Sequence, residues 1–420
     1  MRMRRSAKIL TVAAGCLAGV ECVQAQPVLP GLPDFYLNPP ALQEALTNNF
    51  DVFKPTQPGV PTAEAAEESK PIELGPVQLR PHLFYRSYYA SGILMGRGDT
   101  VESWINEISP GIFMGLGRYI SVDYTPTIRL YSSGHLNNGV DHSVLFTAGG
   151  QASPDWILSL SQGYNKTSTP EVETAVQTVQ ELYSTALKAS HDINERMSLD
   201  LGLNQDFRLM ESFTDYHQWS TLNWLNFKSN ERLDFGLGIG GGYAIVNLNS
   251  PDTAFERFLG RARWRATEKL SVQAGAGVEN RQFISGANDL LTPLFTAEIQ
   301  YQPLEETRLS LTAGRDVAVA YFQSQVNEIT SVRLEGDQLL FTKTHLTVGL
   351  GYYMDNYKGT DSALFPNRSD DYYSADVRLS WNFIKRGVLS LFYQYIDNSS
   401  NERGFSFTSH QVGIELGYRY

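Results

Sequence analysis

The sequence predicts an all-β protein, a transmembrane antiparallel β-barrel of about 18 strands within a range of 16 to 18. Apolar and polar residues alternate with period two from residue 76 to the end, as in strands with one face on each side of a sheet. Short turns recur roughly every 38 residues and are separated by longer polar connections. Almost all of the 21 Phe, 22 Tyr and 6 Trp lie beyond residue 75.

Residues 1–25 predict a cleaved export signal. A basic stretch over 1–8 precedes an apolar run over 9–20, and small residues end the segment at Ala25. The run is too short to cross a bilayer as a helix, which takes roughly 20 residues. An alternative is lipoprotein processing at Cys16, but Ala13 stands where such sites usually carry Leu.

Cleavage after Ala25 would remove Cys16 and Cys22, the two cysteines of the chain. An exported chain without a disulfide fits a bacterial envelope better than a eukaryotic secretory route. No run of 18 apolar residues follows, so the sequence offers no transmembrane helix. The net charge of -11 argues against a nucleic-acid partner, since binding a phosphate backbone depends on clustered Lys and Arg.

Residues 26–75 are predicted to form a periplasmic linker that is mostly disordered. They hold nine of the 19 prolines, and such a composition buries too little apolar surface to fold alone. A short helix could begin at Asn38, with Pro39 as its first residue, either as a transient turn or as a segment docked at the pore mouth. The linker could also recruit a periplasmic partner.

Residues 76–420 are predicted to form the barrel. Long alternating strands distinguish it from a soluble sandwich, and two strands per repeat distinguish it from a propeller, which needs four. Eight short turns are expected near 117–118, 153–155, 194–195, 229–231, 267–269, 305–306, 342–343 and 385–387. Nine longer loops are expected near 91–101, 133–140, 168–176, 210–214, 247–252, 285–290, 322–325, 358–370 and 399–404. Together they predict about 18 strands, closed so that no edge faces lipid.

Two regions fit the alternation poorly. Pro110 and Pro126 lie within predicted strands on either side of the 117–118 turn, where each removes a ladder hydrogen bond. They predict a shared bulge or a weak seam. Residues 322–341 alternate too weakly for the bounds of that strand to be assigned.

The lumen is predicted to be lined by charge. In the strand over 253–267, Phe258 and Trp264 would face lipid, which sends the arginines of that strand inward, since a lipid-facing Arg at the midplane costs about 2 to 4 kcal/mol. The heads of these arginines are either free to meet an anion or sugar, or paired with lumenal carboxylates. The predicted pore-lining residues are Arg257, Arg261, Arg263, Arg265, Asp234, Glu279 and Glu298.

Motifs for catalysis, cofactors or metals were sought in the sequence. Residues 236–241 match the letters of a dinucleotide fingerprint, but the chain continues as a strand where a helix is needed. The seven histidines are scattered without ligand spacing, so no cofactor or metal is predicted. Asp370-Asp371 and Asp141-His142 are read as solvated loop residues, with a surface calcium contact as the alternative.

The order of an export signal, a proline-rich segment, long hairpins and a terminal aromatic residue resembles the outer-membrane β-barrel proteins of Gram-negative bacteria. Residues 108–131 resemble more narrowly the putative β-barrel porin families of uncharacterised function. The resemblance implies an outer-membrane location, contact with lipid and a channel role. It also implies a C-terminal insertion signal read by the barrel assembly machinery, formed by Val412, Ile414, Leu416, Tyr418 and Tyr420.

The sequence therefore favours an outer-membrane channel for passive diffusion of small hydrophilic solutes. An exporter or assembly component for a surface polysaccharide is the alternative. An outer-membrane barrel enzyme is less favoured, because no Gly-x-Ser-x-Gly elbow is present, although a triad assembled across strands would leave no sequence motif. The sequence does not indicate an oligomeric state.

Overall fold

The computed structural model describes residues 71–420, except 97, 118, 248–249, 285–288 and 360–366. The strands are β1 (Ile72–Leu74), β2 (Val77–Leu94), β3 (Thr100–Leu116), β4 (Ile120–Tyr131), β5 (Gly139–Ser153), β6 (Trp156–Thr167), β7 (Pro170–Glu171), β8 (Val176–Gln177), β9 (Gln180–Asn194), β10 (Met197–Met210), β11 (Tyr216–Asn230), β12 (Leu233–Val246), β13 (Thr253–Arg265), β14 (Leu270–Phe283), β15 (Leu290–Leu304), β16 (Thr307–Val319), β17 (Gln325–Leu340), β18 (Thr344–Gly359), β19 (Arg368–Ile384), β20 (Gly387–Ser400) and β21 (Phe407–Arg419).

The long strands β2–β6 and β9–β21 form one closed antiparallel barrel of 18 strands. Each pairs with its neighbours in chain order, and β2 pairs with both β3 and β21 to complete the circle. The predicted fold class is confirmed. Closure matters energetically because an unpaired backbone group costs several kcal/mol in hydrocarbon.

Eight short turns lie at one end of the barrel, together with the beginning of β2 and the end of β21. Nine longer connections lie at the other end, and all seventeen fall where the sequence placed them. Outer-membrane barrels have short periplasmic turns and longer extracellular loops. The end with the short turns is therefore the periplasmic end.

The outer wall is apolar. Leu237 is 72% exposed and Leu291 is 68% exposed, and Val412, Ile414 and Leu416 of β21 are exposed as well. Such a surface suits lipid rather than water. No helix in the described part of the chain has the length and hydropathy needed to cross a bilayer.

The N-terminal boundary of the barrel differs slightly from the prediction. The short strand β1 lies within the range assigned to the linker and pairs with Val77–Leu79 at the start of β2. The rest of the linker assignment, residues 26–70, and the predicted export signal lie outside the described residues. The first barrel strand continues to Leu94, four residues beyond the expected Ala90, and Tyr420 follows the end of β21.

The two prolines mark a weak seam, as predicted, but without a bulge. The β3–β4 pairs stop after Ile108 with Ile128 and resume at Ile112 with Tyr124, in the same register. The ladder is interrupted around Pro110 because proline donates no backbone hydrogen bond. In β17 the consecutive residues 326–329 are all buried, which explains why its alternation is weak in the sequence.

Candidate functional site

Strand β13 carries the arginines named from the sequence. Its register sets Arg261 opposite Gly275 and Arg263 opposite Gln273 on β14, and sets Arg261 opposite Gly236 on β12. These are the neighbours that the turn at 267–269 predicts. Alternation along a strand therefore determined which residues share this face.

This face is the interior of the barrel. Phe258 and Trp264, at alternate positions, are 54% and 50% exposed on the outer wall. Arg257 instead contacts Asp316 on β16, three strands away, with 3.0 Å between Nη2 and Oδ1. A contact over that span crosses the concave side of the wall.

Arg257 is held by two carboxylates. Its Nε donates to Oε2 of Glu279 at 2.6 Å, in addition to the contact with Asp316. Glu279 also accepts from Nε of Arg281 at 2.8 Å and is 99% shielded from solvent, with 1% of its surface exposed. Charge-assisted bonds of this kind are stronger than neutral ones and restrict each head to one position.

Arg261 is enclosed on three sides. Its Nη2 donates to Oδ2 of Asp200 at 3.2 Å and to Oδ1 of Asn226 at 2.7 Å. The guanidinium lies 4.1 Å from the ring centroid of Trp224. A Cβ at Gly236 would lie 2.9 Å from this arginine side chain, so the glycine leaves room for it.

The remaining predicted pore-lining residues differ in their surroundings. Arg263 lies 3.9 Å from Asp234, while Arg265 is exposed at the periplasmic end of β13. Glu298 accepts a hydrogen bond from Gln300 on the same strand. Of the two arrangements that the sequence left open, the structure has the paired one for Arg257, Arg261 and Arg263. That these side chains border a conducting path stays a prediction.

Ion pairs also line the opposite wall, where the sequence analysis named none. Nε of Arg86 lies 3.3 Å from Oε1 of Glu415, across the β2–β21 closure. Arg129 on β4 donates to Glu107 at 2.8 Å and pairs with Asp141. The period-two pattern was the available signal, since these charges occupy inward positions of their strands. The lumen is thus lined by neutralised pairs of charges.

The connection between β6 and β9, residues 168–179 and here called the mouth loop, folds into the barrel. It contains the small hairpin of β7 and β8. Val172 is 2% exposed and Ala175 is fully buried, and both join an apolar cluster with Tyr353 and Tyr372 of the wall. The loop therefore lies inside the extracellular end of the lumen rather than above it.

Glu173 ties the mouth loop to the wall. Its backbone carbonyl accepts a hydrogen bond from Nη1 of Arg368 at 3.0 Å, and its carboxylate accepts from the backbone N–H of Tyr321. The Arg368 guanidinium lies 3.9 Å from the ring of Tyr357 and 4.0 Å from that of Phe405. Burial raises the pKa of the Glu173 carboxyl, against the opposing effect of Arg368.

A second arginine joins loops from the two sides of the mouth. Arg208 on β10 donates to the backbone carbonyls of Val319 at 3.3 Å, Ala320 at 2.9 Å and Thr214 at 3.4 Å. The N–H of Thr214 donates to the carbonyl of Tyr321 at 3.0 Å. The loops over 211–215 and 320–324 therefore meet across the lumen beside the mouth loop.

The mouth is the narrowed part of the lumen in the described residues. Sequence analysis placed its loops but missed that they fold inward. One signal was available, because Val172, Ala175, Phe322 and Phe405 are apolar residues in segments predicted to be solvated loops. Apolar side chains in a long loop indicate that the loop packs on something.

The described residues contain no group of three or more His, Asp or Glu side chains placed to hold a metal ion. Asp141, one of the loop-junction residues singled out in the sequence, instead pairs with Arg129. Asp370 pairs with Arg368 at 3.1 Å. The chemistry that this arrangement offers is therefore hydrogen bonding and charge along a narrowed lumen.

Residues 254–420 match a family model described as "Putative beta-barrel porin 2". The match covers the second part of the barrel, whereas the resemblance seen in the sequence rested on residues 108–131. The resemblance to β-barrel porin families is thus confirmed on a different segment. No curated protein matches the sequence.

Solved structures with similarity to this chain are outer-membrane barrels. The chain is similar to OccK2 (OpdF) of Pseudomonas aeruginosa, with 11% identity, a TM-score of 0.49, and coverage of 81% of this chain and 98% of that chain. It is also similar to OccAB3 of Acinetobacter baumannii, with 9% identity, a TM-score of 0.47, and coverage of 81% and 99%. The barrel architecture and the family match are both those of Gram-negative outer-membrane proteins, as the sequence predicted.

Proposed function

We propose that this chain is a porin-like outer-membrane channel through which small hydrophilic solutes diffuse passively. The observation that carries the proposal is an 18-stranded barrel whose interior is lined by charged and hydrogen-bonding side chains and narrowed by the mouth loop. Barrels of 16 to 18 strands leave an aqueous channel unless loops or other segments fill it. The family match over residues 254–420 supports the same function.

The first prediction concerns conductance. The purified chain in a planar bilayer is expected to show discrete conductance steps, because a polar lumen of this width holds water and ions. Single-channel recording measures the steps, and swelling of liposomes in small sugars measures solute entry. A chain that inserts with the gel mobility shift of a folded barrel, yet gives no steps and no swelling even without the mouth loop, would contradict the proposal.

The second prediction concerns ion selectivity. Because Arg261 and Arg263 lie beside Asp200 and Asp234, the channel is expected to discriminate weakly between anions and cations. The double variant Asp200→Asn and Asp234→Asn removes two negative charges beside these arginines. Its reversal potential in a salt gradient should shift toward anions.

The matched control is Asp155→Asn in the β5–β6 turn, which removes a carboxylate outside the barrel wall. That variant should keep the wild-type reversal potential. An unchanged potential in the double variant would place these ion pairs away from the conducting path.

The exporter alternative depends on the predicted linker and a periplasmic partner, and it stays a prediction. We do not propose an enzyme, since the family match favours a channel.

A further inference from the structure

The outer wall of β6, β9 and β10 carries three polar side chains at one level, here called the glutamine row. The register pairs Gln162 with Thr185 across β6 and β9, and Thr185 with Gln205 across β9 and β10. The row shares its face with Leu187 and Leu203, which are 46% and 42% exposed. These polar groups therefore point toward lipid.

The row lies within the apolar band. Two residues further toward the extracellular end, Tyr164, Tyr183 and Phe207 form a row of aromatic rings in the same registers. Aromatic girdles mark the interface between lipid and water in outer-membrane barrels. The glutamine row lies on the membrane side of this girdle, where water is scarce.

The hydrogen-bonding capacity of the row is only partly used. Thr185 Oγ1 donates to Gln162 Oε1 at 2.6 Å. No hydrogen bond joins the Gln205 amide to another described residue. Lipid tails carry neither donors nor acceptors, so an amide at this depth is stabilised only where a protein surface covers it.

The shape beside the row also suits a protein neighbour. A groove of about 760 Å³ lies on the periplasmic side of the row, floored by small residues such as Ala148, Gly150 and Ala189. Trp219, the register neighbour of Gln205 on β11, projects from the same wall with 44% of its surface exposed. Small residues allow close approach of a second wall, and a projecting ring can enter such a groove.

We propose that this chain self-associates within the membrane through the glutamine row and the adjoining groove, with a second copy of the chain as the occupant. A primary amide carries both donors and an acceptor, so Gln205 pairs with its own copy across a two-fold axis. The opposite wall lacks this combination, since β19–β21 present exposed Val377, Leu391 and Val412 there. The contact is therefore directed to one side of the barrel.

Cysteine crosslinking in membranes tests the proposal, because residues 26–420 contain no cysteine. The Gln205→Cys variant of the full chain, oxidised in outer-membrane fractions, is expected to give a crosslinked band of twice the chain mass. The matched control is Leu391→Cys, which is also exposed to lipid but lies on β20. It should stay monomeric at equal abundance.

A second variant separates association from folding. Gln205→Leu places an apolar side chain on the lipid face, so the barrel should keep its gel mobility shift while its mass in mild detergent falls from dimer to monomer. Crosslinking of Gln205→Cys no stronger than that of Leu391→Cys, or a wild-type monomer carrying only bound lipid in native mass spectrometry, would overturn the proposal.

Discussion

Removal of the last three residues, Tyr418–Tyr420, is expected to abolish insertion into the outer membrane and to leave the chain in the periplasm. The closing strand β21 pairs with β2 through residues 411–419, and Tyr420 donates its N–H to the carbonyl of Pro81 at 2.9 Å. Truncation would expose part of both edges, and each unpaired backbone group costs several kcal/mol in lipid. Cell fractionation and gel mobility with and without heating measure the outcome.

The same residues form the predicted insertion signal for the barrel assembly machinery. The Tyr420 ring lies 4.2 Å from the Arg386 guanidinium of the adjacent turn, at the periplasmic end of the barrel. The double variant Tyr418→Phe and Tyr420→Phe keeps the aromatic rings and the backbone, so it should insert normally. Normal surface assembly of the truncated chain would show that closure does not need this end of β21.

Most of the barrel could be predicted because local rules determine it. A strand in a membrane must alternate, so the parity of Phe258 and Trp264 determined which arginines of β13 point inward. The turn at 267–269 then determined that Arg261 faces Gly275. Neither inference needed contacts between residues far apart in the chain.

The closed circuit of ion pairs could be predicted only in part. Asp234 and Glu279 neighbour the arginines across adjacent strands, so register alone brings them close. Asp200 and Asp316 reach Arg261 and Arg257 from three strands away, which requires the curvature of the finished barrel. A strand-by-strand reading carries no information about curvature.

The mouth was the part that sequence reasoning missed. Its contacts join residues separated by 148 positions, between Tyr321 and Glu173, and by 195 positions, between Arg368 and Glu173. A loop can pack inside or outside a barrel with the same composition, and long-range packing decides between the two. Only the apolar residues Val172 and Ala175 indicated the inward choice.

Protonation is expected to stabilise the inward position of the mouth loop. Burial raises the pKa of Glu173 in this position, so the inward state binds a proton more readily than a released, solvated loop. The inward state therefore gains stability as pH falls through the raised pKa, and the gain is complete below the ordinary carboxyl pKa. Glu173→Gln keeps an acceptor for the N–H of Tyr321 but has no proton to gain, so it separates this effect from others.

Arg368→Ala is expected to release the mouth loop and to raise the conductance of the channel. The substitution removes the donor to the Glu173 carbonyl and the partner of Asp370, and it leaves a buried carboxylate unpaired. Breaking a buried pair in this way costs about 3 to 5 kcal/mol. Since each 1.4 kcal/mol is a factor of about ten, the inward state should lose its dominance.

Single-channel recording measures the release as larger or more frequent open levels. Arg378→Ala is the matched control, because this arginine of the same strand pairs with Glu415 far from the mouth loop. It should leave the open levels near those of the wild type. The Arg368→Ala channel should also lose the closure at acidic pH that Glu173 confers. If Arg368→Ala and Arg378→Ala conduct alike, the mouth loop is held by its apolar cluster alone, and the contacts of Arg368 with the loop do not control the width of the lumen.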